Sequence, residues 1–283
     1  MKKMEQCIVK VMVFLFVLAV APGGWPVLAA EGTPTAAERM WGDALPKITG
    51  LLNQIDEEFT AVTIEDGFNG LYGRNQLDLK TRELCTITML TCLGKPEELN
   101  LHLMAGLRVG WKVEDLREIM ILSALPAGWP ASIDALRFLG EWCEKNKVPM
   151  PPGKKLRPDF RTADWYKSGY EKGEKLYGKK LWGQYLRALA AVDPELAKFT
   201  VANLYGKFLS RPTISDKTRE LCFVAGTGAM MKSKRLLRMH IQGALNSGAT
   251  PVEVKEALYH IGLYAGQGAS AEAIAVYFAM GLK

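Results

Sequence analysis

Seven residues of this chain occur twice. Leu79-Lys-Thr-Arg-Glu-Leu-Cys85 returns as Asp216-Lys-Thr-Arg-Glu-Leu-Cys222, with six of the seven positions identical. Upstream, Phe68, Leu71, Arg74 and Leu77 stand opposite Tyr205, Phe208, Arg211 and Ile214. Downstream, after a one-residue insertion, His102, Gly110, Glu118, Gly128, Ala131, Ser132 and Ala135 stand opposite His240, Gly248, Glu256, Gly266, Ala269, Ser270 and Ala273. A chance match does not keep its register over about seventy residues, so the chain is read as a duplicated module. Any fold proposed for it must therefore accommodate two copies of one unit.

Each copy reads as helices, about six per copy, and strand-like alternation is nearly absent. Ser215 is a candidate N-cap for a helix running to Ala229, with Asp78 in the matching place of the first copy. Thr250-Pro251-Val252-Glu253 combines a capping box with proline at the first helical position. Behind it, Val254, Leu258, Ile261 and Ala265 recur at helical spacing and predict a buried stripe. Gly110 and Gly248 follow the His-bearing helices where a left-handed cap is expected. Ahead of the repeated segment, the second copy predicts helices over Trp165 to Tyr177, Lys179 to Ala190 and Pro194 to Leu209. The fold class is thus all-α, with two tandem helical modules over residues 31–145 and 161–283. Residues 146–160, rich in proline and lysine, are the expected linker, because Pro149, Pro151, Pro152 and Pro158 forbid a continuous helix.

Residues 1–30 read as a signal peptide outside the fold. Lys2 and Lys3 precede an apolar run from Ile8 to Val20, and the small residues Ala29 and Ala30 follow. Lys10 interrupts that run and Pro22-Gly23-Gly24 ends it, short of the roughly 20 residues a membrane span requires. Export to the periplasm or beyond is therefore expected, with no stable membrane anchor after processing. Losing Lys2, Lys3 and Lys10 against Glu5 lowers the net charge from +6 to about +4. The basic residues are spread out and not gathered with aromatics into a stripe, so no nucleic acid is expected as partner. Mild attraction for a small anionic molecule is what the charge supports.

Chemistry-bearing residues are few. Only three histidines occur, none at i, i+4 spacing, and no Cys or Asp cluster accompanies them, so no metal site is expected. No glycine-rich phosphate loop follows a strand and no nucleophile elbow occurs, so no cofactor is expected. His240 and His102 are the first candidates because imidazole exchanges protons near neutral pH, the alternative being a histidine bonded between helices. Glu220 and Glu83 sit in first helical turns, where the helix dipole alone favours a carboxylate. Arg219 and Arg82 have the shape to hold a substrate carboxylate, or to pair with a nearby acid. His260 falls on the core side of its helix, opposite Leu122, and reads as structural. Cys85 and Cys92 are seven apart on one helix, about 10 Å along its axis, beyond disulfide reach. Any disulfide must involve Cys143 or Cys222. Cys85 and Cys222 lie early in helices, where a thiolate is favoured, although free cysteines more often pack in the core.

Arg211-Pro-Thr-Ile-Ser-Asp-Lys-Thr-Arg-Glu-Leu221, Met239 to Val254 and Tyr264-Ala-Gly266 resemble the core of the carboxymuconolactone decarboxylase and alkylhydroperoxidase-like family. Tyr170-Glu-Lys-Gly173 and Tyr177-Gly178 resemble that family's N-terminal helix. The likeness covers Trp165 to Lys283 and, less fully, Phe68 to Trp142, where Pro126 replaces Tyr264. The resemblance implies a cofactor-free lyase of a small carboxylated substrate, with His240, Glu220 and Tyr264 as catalytic residues and Arg219 binding substrate. His102, Glu83 and Arg82 would be weaker first-module equivalents. A hydroperoxide-reducing branch of the family uses Cys-x-x-Cys three residues before the His. Here those places hold Lys95 and Glu98, or Ser233 and Leu236, and dithiol chemistry needs two thiols. A different class, a non-catalytic helical binding or assembly module, is the alternative. Relatives forming rings of single modules imply a homotrimer for a two-module chain.

Overall fold

The computed structural model describes residues 33–153, 160 and 163–282. The expected signal segment and residues 154–159 of the expected linker lie outside them. The described residues are helical without a strand. The first copy comprises α1 (Ala36–Trp41), α2 (Leu45–Asn53), α3 (Glu57–Ala61), α4 (Leu79–Leu93), α5 (Pro96–Arg108), α6 (Val113–Leu122), α7 (Ala124–Ala127) and α8 (Trp129–Lys145). The second comprises α9 (Trp165–Val192), α10 (Pro194–Phe199), α11 (Asp216–Met230), α12 (Lys234–Asn246), α13 (Pro251–Ala265) and α14 (Gln267–Phe278).

Local signals in the sequence act as expected. Asp78 accepts from the Thr81 amide at 2.9 Å and Ser215 from the Thr218 amide at 3.2 Å, capping α4 and α11. The Thr250 capping box closes from both directions, at 3.1 Å and 2.7 Å. Gly178 takes φ 75°, which only glycine adopts at little cost, and breaks α9 between Tyr177 and Lys179. Both copies share a device that periodicity did not predict. α3 and α10 widen into π-helical turns over Val62–Leu71 and Thr200–Phe208. In the second copy this wide turn crosses the first half of α9 with backbones in contact. A Cβ on Gly169 would lie 1.9 Å from the Val201 carbonyl oxygen.

The two copies meet about a pseudo-twofold axis. α4 and α11 lie side by side in the middle, buried on nearly every face, and the equivalent residues Cys85 and Cys222 touch with Sγ atoms 4.0 Å apart. On one side of the axis Arg74 pairs with Glu256 at 2.6 Å; on the other Arg211 pairs with Glu118 at 2.6 Å. Such reciprocity, residue i with j and j with i, is what an isologous dimer interface shows. Here it is formed within one chain. Of the four threonines that α4 buries, Thr88 and Thr91 donate to carbonyls one turn back at 2.8 Å and Thr81 donates to Asp78 at 2.6 Å.

Cys85, Cys92, Cys143 and Cys222 are free and buried. The hydrogen bond to Cys222 and burial push the Cys85 thiol well up, and burial pushes Cys92 up to about 12. The activated-thiol alternative for Cys85 is thereby corrected: burial outweighs the helix dipole.

Candidate active site

The dyad brings two His–Glu pairs into equivalent places. His102 on α5 bonds through Nδ1 to Glu83 Oε1 on α4 at 2.7 Å. His240 on α12 bonds through Nδ1 to Glu220 Oε2 on α11 at 2.9 Å. All four side chains are buried. Beyond these pairs the surroundings diverge.

Around His102 a polar chain crosses from one module to the other. The other ring nitrogen, Nε2, lies 3.2 Å from the hydroxyl of Tyr264, which α13 of the second module supplies. Tyr264 Oη hydrogen-bonds Tyr72 Oη; Tyr72 Oη meets Thr86 Oγ1 at 2.5 Å; Thr86 Oγ1 meets His260 Nε2 at 2.7 Å. Six side chains are thus linked in series from Glu83 to His260. Burial, with the nearby Glu83 carboxylate adding to it, pushes both phenols well above their ordinary range, so they carry their protons at neutral pH. Burial, then the charge of Arg82 and the proximity of His102, hold His260 well below the ordinary histidine range, so it is neutral. One orientation satisfies every link. His260 Nε2–H donates to Thr86, Thr86 to Tyr72, Tyr72 to Tyr264, Tyr264 to His102 Nε2, and His102 Nδ1–H to Glu83. Three buried polar atoms next to this chain have no partner among the described residues: Glu83 Oε2, Trp41 Nε1 and His260 Nδ1. A buried carboxylate oxygen left open beside a histidine is capacity for a bound group.

Around His240 the same positions are apolar. By the repeat register Tyr72, Thr86, His260 and Tyr264 become Leu209, Phe223, Leu122 and Pro126. The Phe223 ring packs 5.0 Å from the His240 ring, and Tyr177 donates to Glu220 Oε1 at 3.3 Å, so both carboxylate oxygens are occupied. Among the described residues, none continues from His240 Nε2 into a chain.

The sequence reading placed Tyr264 with His240 and Glu220. The structure separates them and brings Tyr264 to His102 and Glu83, because α13 packs across the dyad onto α4. Arg219 is not presented to a ligand either. It donates to the carbonyls of Leu209 at 2.6 Å and Ile214 at 3.3 Å, and to Asp216 at 2.5 Å. Arg82 likewise braces the Leu77 and Arg74 carbonyls, both at 3.1 Å, and pairs with Glu256 at 2.6 Å. Both arginines hold the loop ahead of their helix. Sequence reasoning missed Tyr72 and Thr86 and set His260 aside as structural. The available signal was that each is polar where its counterpart in the other copy is apolar.

The carboxymuconolactone decarboxylase family model matches residues 58–141 and 194–278. The chain is 33% identical over 105 residues to a 4-carboxymuconolactone decarboxylase of Acinetobacter baylyi, covering 37% of this chain and 78% of that protein. It is 31% identical over 144 residues to peroxisomal protein 2 of Schizosaccharomyces pombe, covering 50% of this chain and 64% of that protein.

Proposed function

From the premise that the chain belongs to the carboxymuconolactone decarboxylase family, carrying its module twice, we propose that it is an exported, cofactor-independent lyase of a small carboxylated compound, working at the His102 site. The observation that carries this reading is the hydrogen-bonded series Glu83–His102–Tyr264–Tyr72–Thr86–His260. Decarboxylation breaks a carbon–carbon bond, releases carbon dioxide and leaves the electron pair on carbon, which must then take a proton. Tyr264 and His102 share a proton at the place where substrate would meet them; the carbon takes that proton, and solvent returns one to the pair once product leaves. A substrate oxygen gaining negative charge can take the Tyr264 hydroxyl hydrogen bond in place of His102, with Tyr72 donating to Tyr264 from behind. Glu83 fixes the orientation of the His102 ring.

The second module completes this site from across the dyad and supplies scaffold elsewhere, since its own histidine is walled by Phe223. Reduction of hydroperoxides by a dithiol is disfavoured by Lys95, Glu98, Ser233 and Leu236 at the cysteine places and by the depth of the four described cysteines. The charged and apolar N-terminal pattern supports export, and the two-module architecture supports a trimer.

The test is turnover of carboxylated lactones, against organic hydroperoxides with and without dithiol, by the purified mature protein and three variants. His102→Ala and Tyr264→Phe should each lower kcat/KM by about 10²-fold or more, the usual weight of a positioned acid–base group. His240→Ala should stay within a few-fold. Loss of activity in His240→Ala with activity kept in His102→Ala would overturn the assignment.

A further inference from the structure

The second module carries a groove that the His102 chemistry does not use. It opens where α9 breaks at Gly178, between the second half of α9, the start of α12 and the end of α14, and has a volume of about 1060 Å³. That is just above the roughly 300–1,000 Å³ of small-molecule sites. Its floor is apolar, with Leu181, Val276 and Met280, and its rim is basic. Lys179 and Lys180 stand on one wall and Lys234, Arg235 and Arg238 on the other. Of these five only Lys234 has an acid partner among the described residues, Glu272 at 2.6 Å. Four exposed cations face one concave space without a counter-charge. Cations left so close repel one another, and the arrangement is relieved by an anion.

The first copy shows that the scaffold does not demand this. In register, Lys234, Arg235 and Arg238 are replaced there by Pro96, Glu97 and Asn100. The helix is kept and the charge on its outer face has changed sign.

We infer that this groove binds an amphipathic organic anion, its carboxylate or other acid group held between Lys179, Lys180, Arg235 and Arg238, its apolar part on the floor between α9, α12 and α14. The inference does not rest on the lyase reading, since neither His102 nor Tyr264 lines the groove.

Isothermal titration of the mature protein with dodecanoate, below its micelle concentration, tests it. One site per chain is expected, with dodecanol and citrate each binding about tenfold or more weakly, because one lacks the charge and the other the apolar part. Arg235→Ala/Arg238→Ala should weaken dodecanoate binding about tenfold, each exposed contact contributing a few-fold. Both side chains are exposed, and circular dichroism confirms that the variant is folded. His102→Ala should bind as the parent does, which separates this groove from the active site. Equal affinity for dodecanol, or unchanged affinity in the double variant, would overturn the inference. So would capture by phosphatidylglycerol vesicles that dodecanoate does not displace, which would make this face a membrane-surface patch instead.

Discussion

His260 should make the folded protein labile on mild acidification, in a window where its carboxylates do not contribute. The ring is fully buried; Nε2 meets Thr86 at 2.7 Å and Nδ1 has no partner among the described residues. It lies against Tyr72, ring centroids 4.4 Å apart, and Tyr264, 5.4 Å apart, with Arg82 and His102 as the charged or titratable groups acting on it. In the unfolded chain its imidazole takes a proton near pH 6.5, whereas in the folded protein it stays neutral well below that. Between the two values the unfolded state binds more protons, so stability rises with pH. The full stability is present above about pH 6.5, falls as pH drops below it, and levels off under the folded pKa. Each pH unit inside that window costs about 1.4 kcal/mol, so the protein should be measurably less stable at pH 5 than at pH 7.5. Asp216, Glu253 and Glu256 are held below the ordinary carboxylate range by their cationic partners. Their contribution is present above about pH 4.5 and disappears as pH falls through their folded values, beneath the window used here. Urea unfolding at pH 7.5 and pH 5 measures the difference, with His260→Leu as the comparison, since Leu122 fills the equivalent place. In that variant Thr86 keeps its bond to Tyr72 and loses only the hydrogen bond it accepts from His260. The variant should lose about 1 kcal/mol at pH 7.5 and most of the descent toward pH 5. An equal descent in both proteins would refute the reasoning.

Glu256→Gln should destabilise by about 3–5 kcal/mol in chemical denaturation, because it leaves the fully buried Arg82 and the largely buried Arg74 without their carboxylate. Glu118→Gln should cost less, as it deprives Arg211 alone. Gly169→Ala should cost about 3 kcal/mol or fail to fold, since the new methyl meets the Val201 carbonyl and the Gly206 amide, neither of which can swing away. A midpoint within a few degrees of the parent in a thermal melt would contradict the observed helix crossing.

The caps, the break at Gly178 and the two-module, all-helical organisation were legible because each is fixed by residues close in sequence. The site was legible only in part. His102 with Glu83 and His240 with Glu220 follow from neighbouring helices of one module, and the repeat exposed them. The placement of Tyr264 was not legible, since adjacency in sequence argues for its own module. What decides it is the dyad, which sends α13 onto the opposite α4. The arginines misled for a related reason. A guanidinium beside a candidate histidine looks available until the three-dimensional course of the preceding loop shows carbonyls waiting for it.

Glu256, His260 and Tyr264 lie four residues apart along α13 and so share one face of that helix. That face is turned toward the first module. Glu256 anchors it to Arg74 and Arg82, and the next two turns deliver His260 and Tyr264 into the polar series. The matching face in the first copy reads Glu118, Leu122, Pro126: the anchor is kept, and both proton-bearing side chains are absent. A homodimer of single modules could not hold this difference, because any residue added to one site is added to its mate. Fusing the two copies removes that restriction. The reciprocal Arg–Glu pairs hold the interface and stay symmetric, while the side chains beyond them are free to diverge. The consequence is a division of labour along one helix face. Loss of Glu256 should therefore depress both stability and any turnover at His102, whereas loss of Glu118 should depress stability alone.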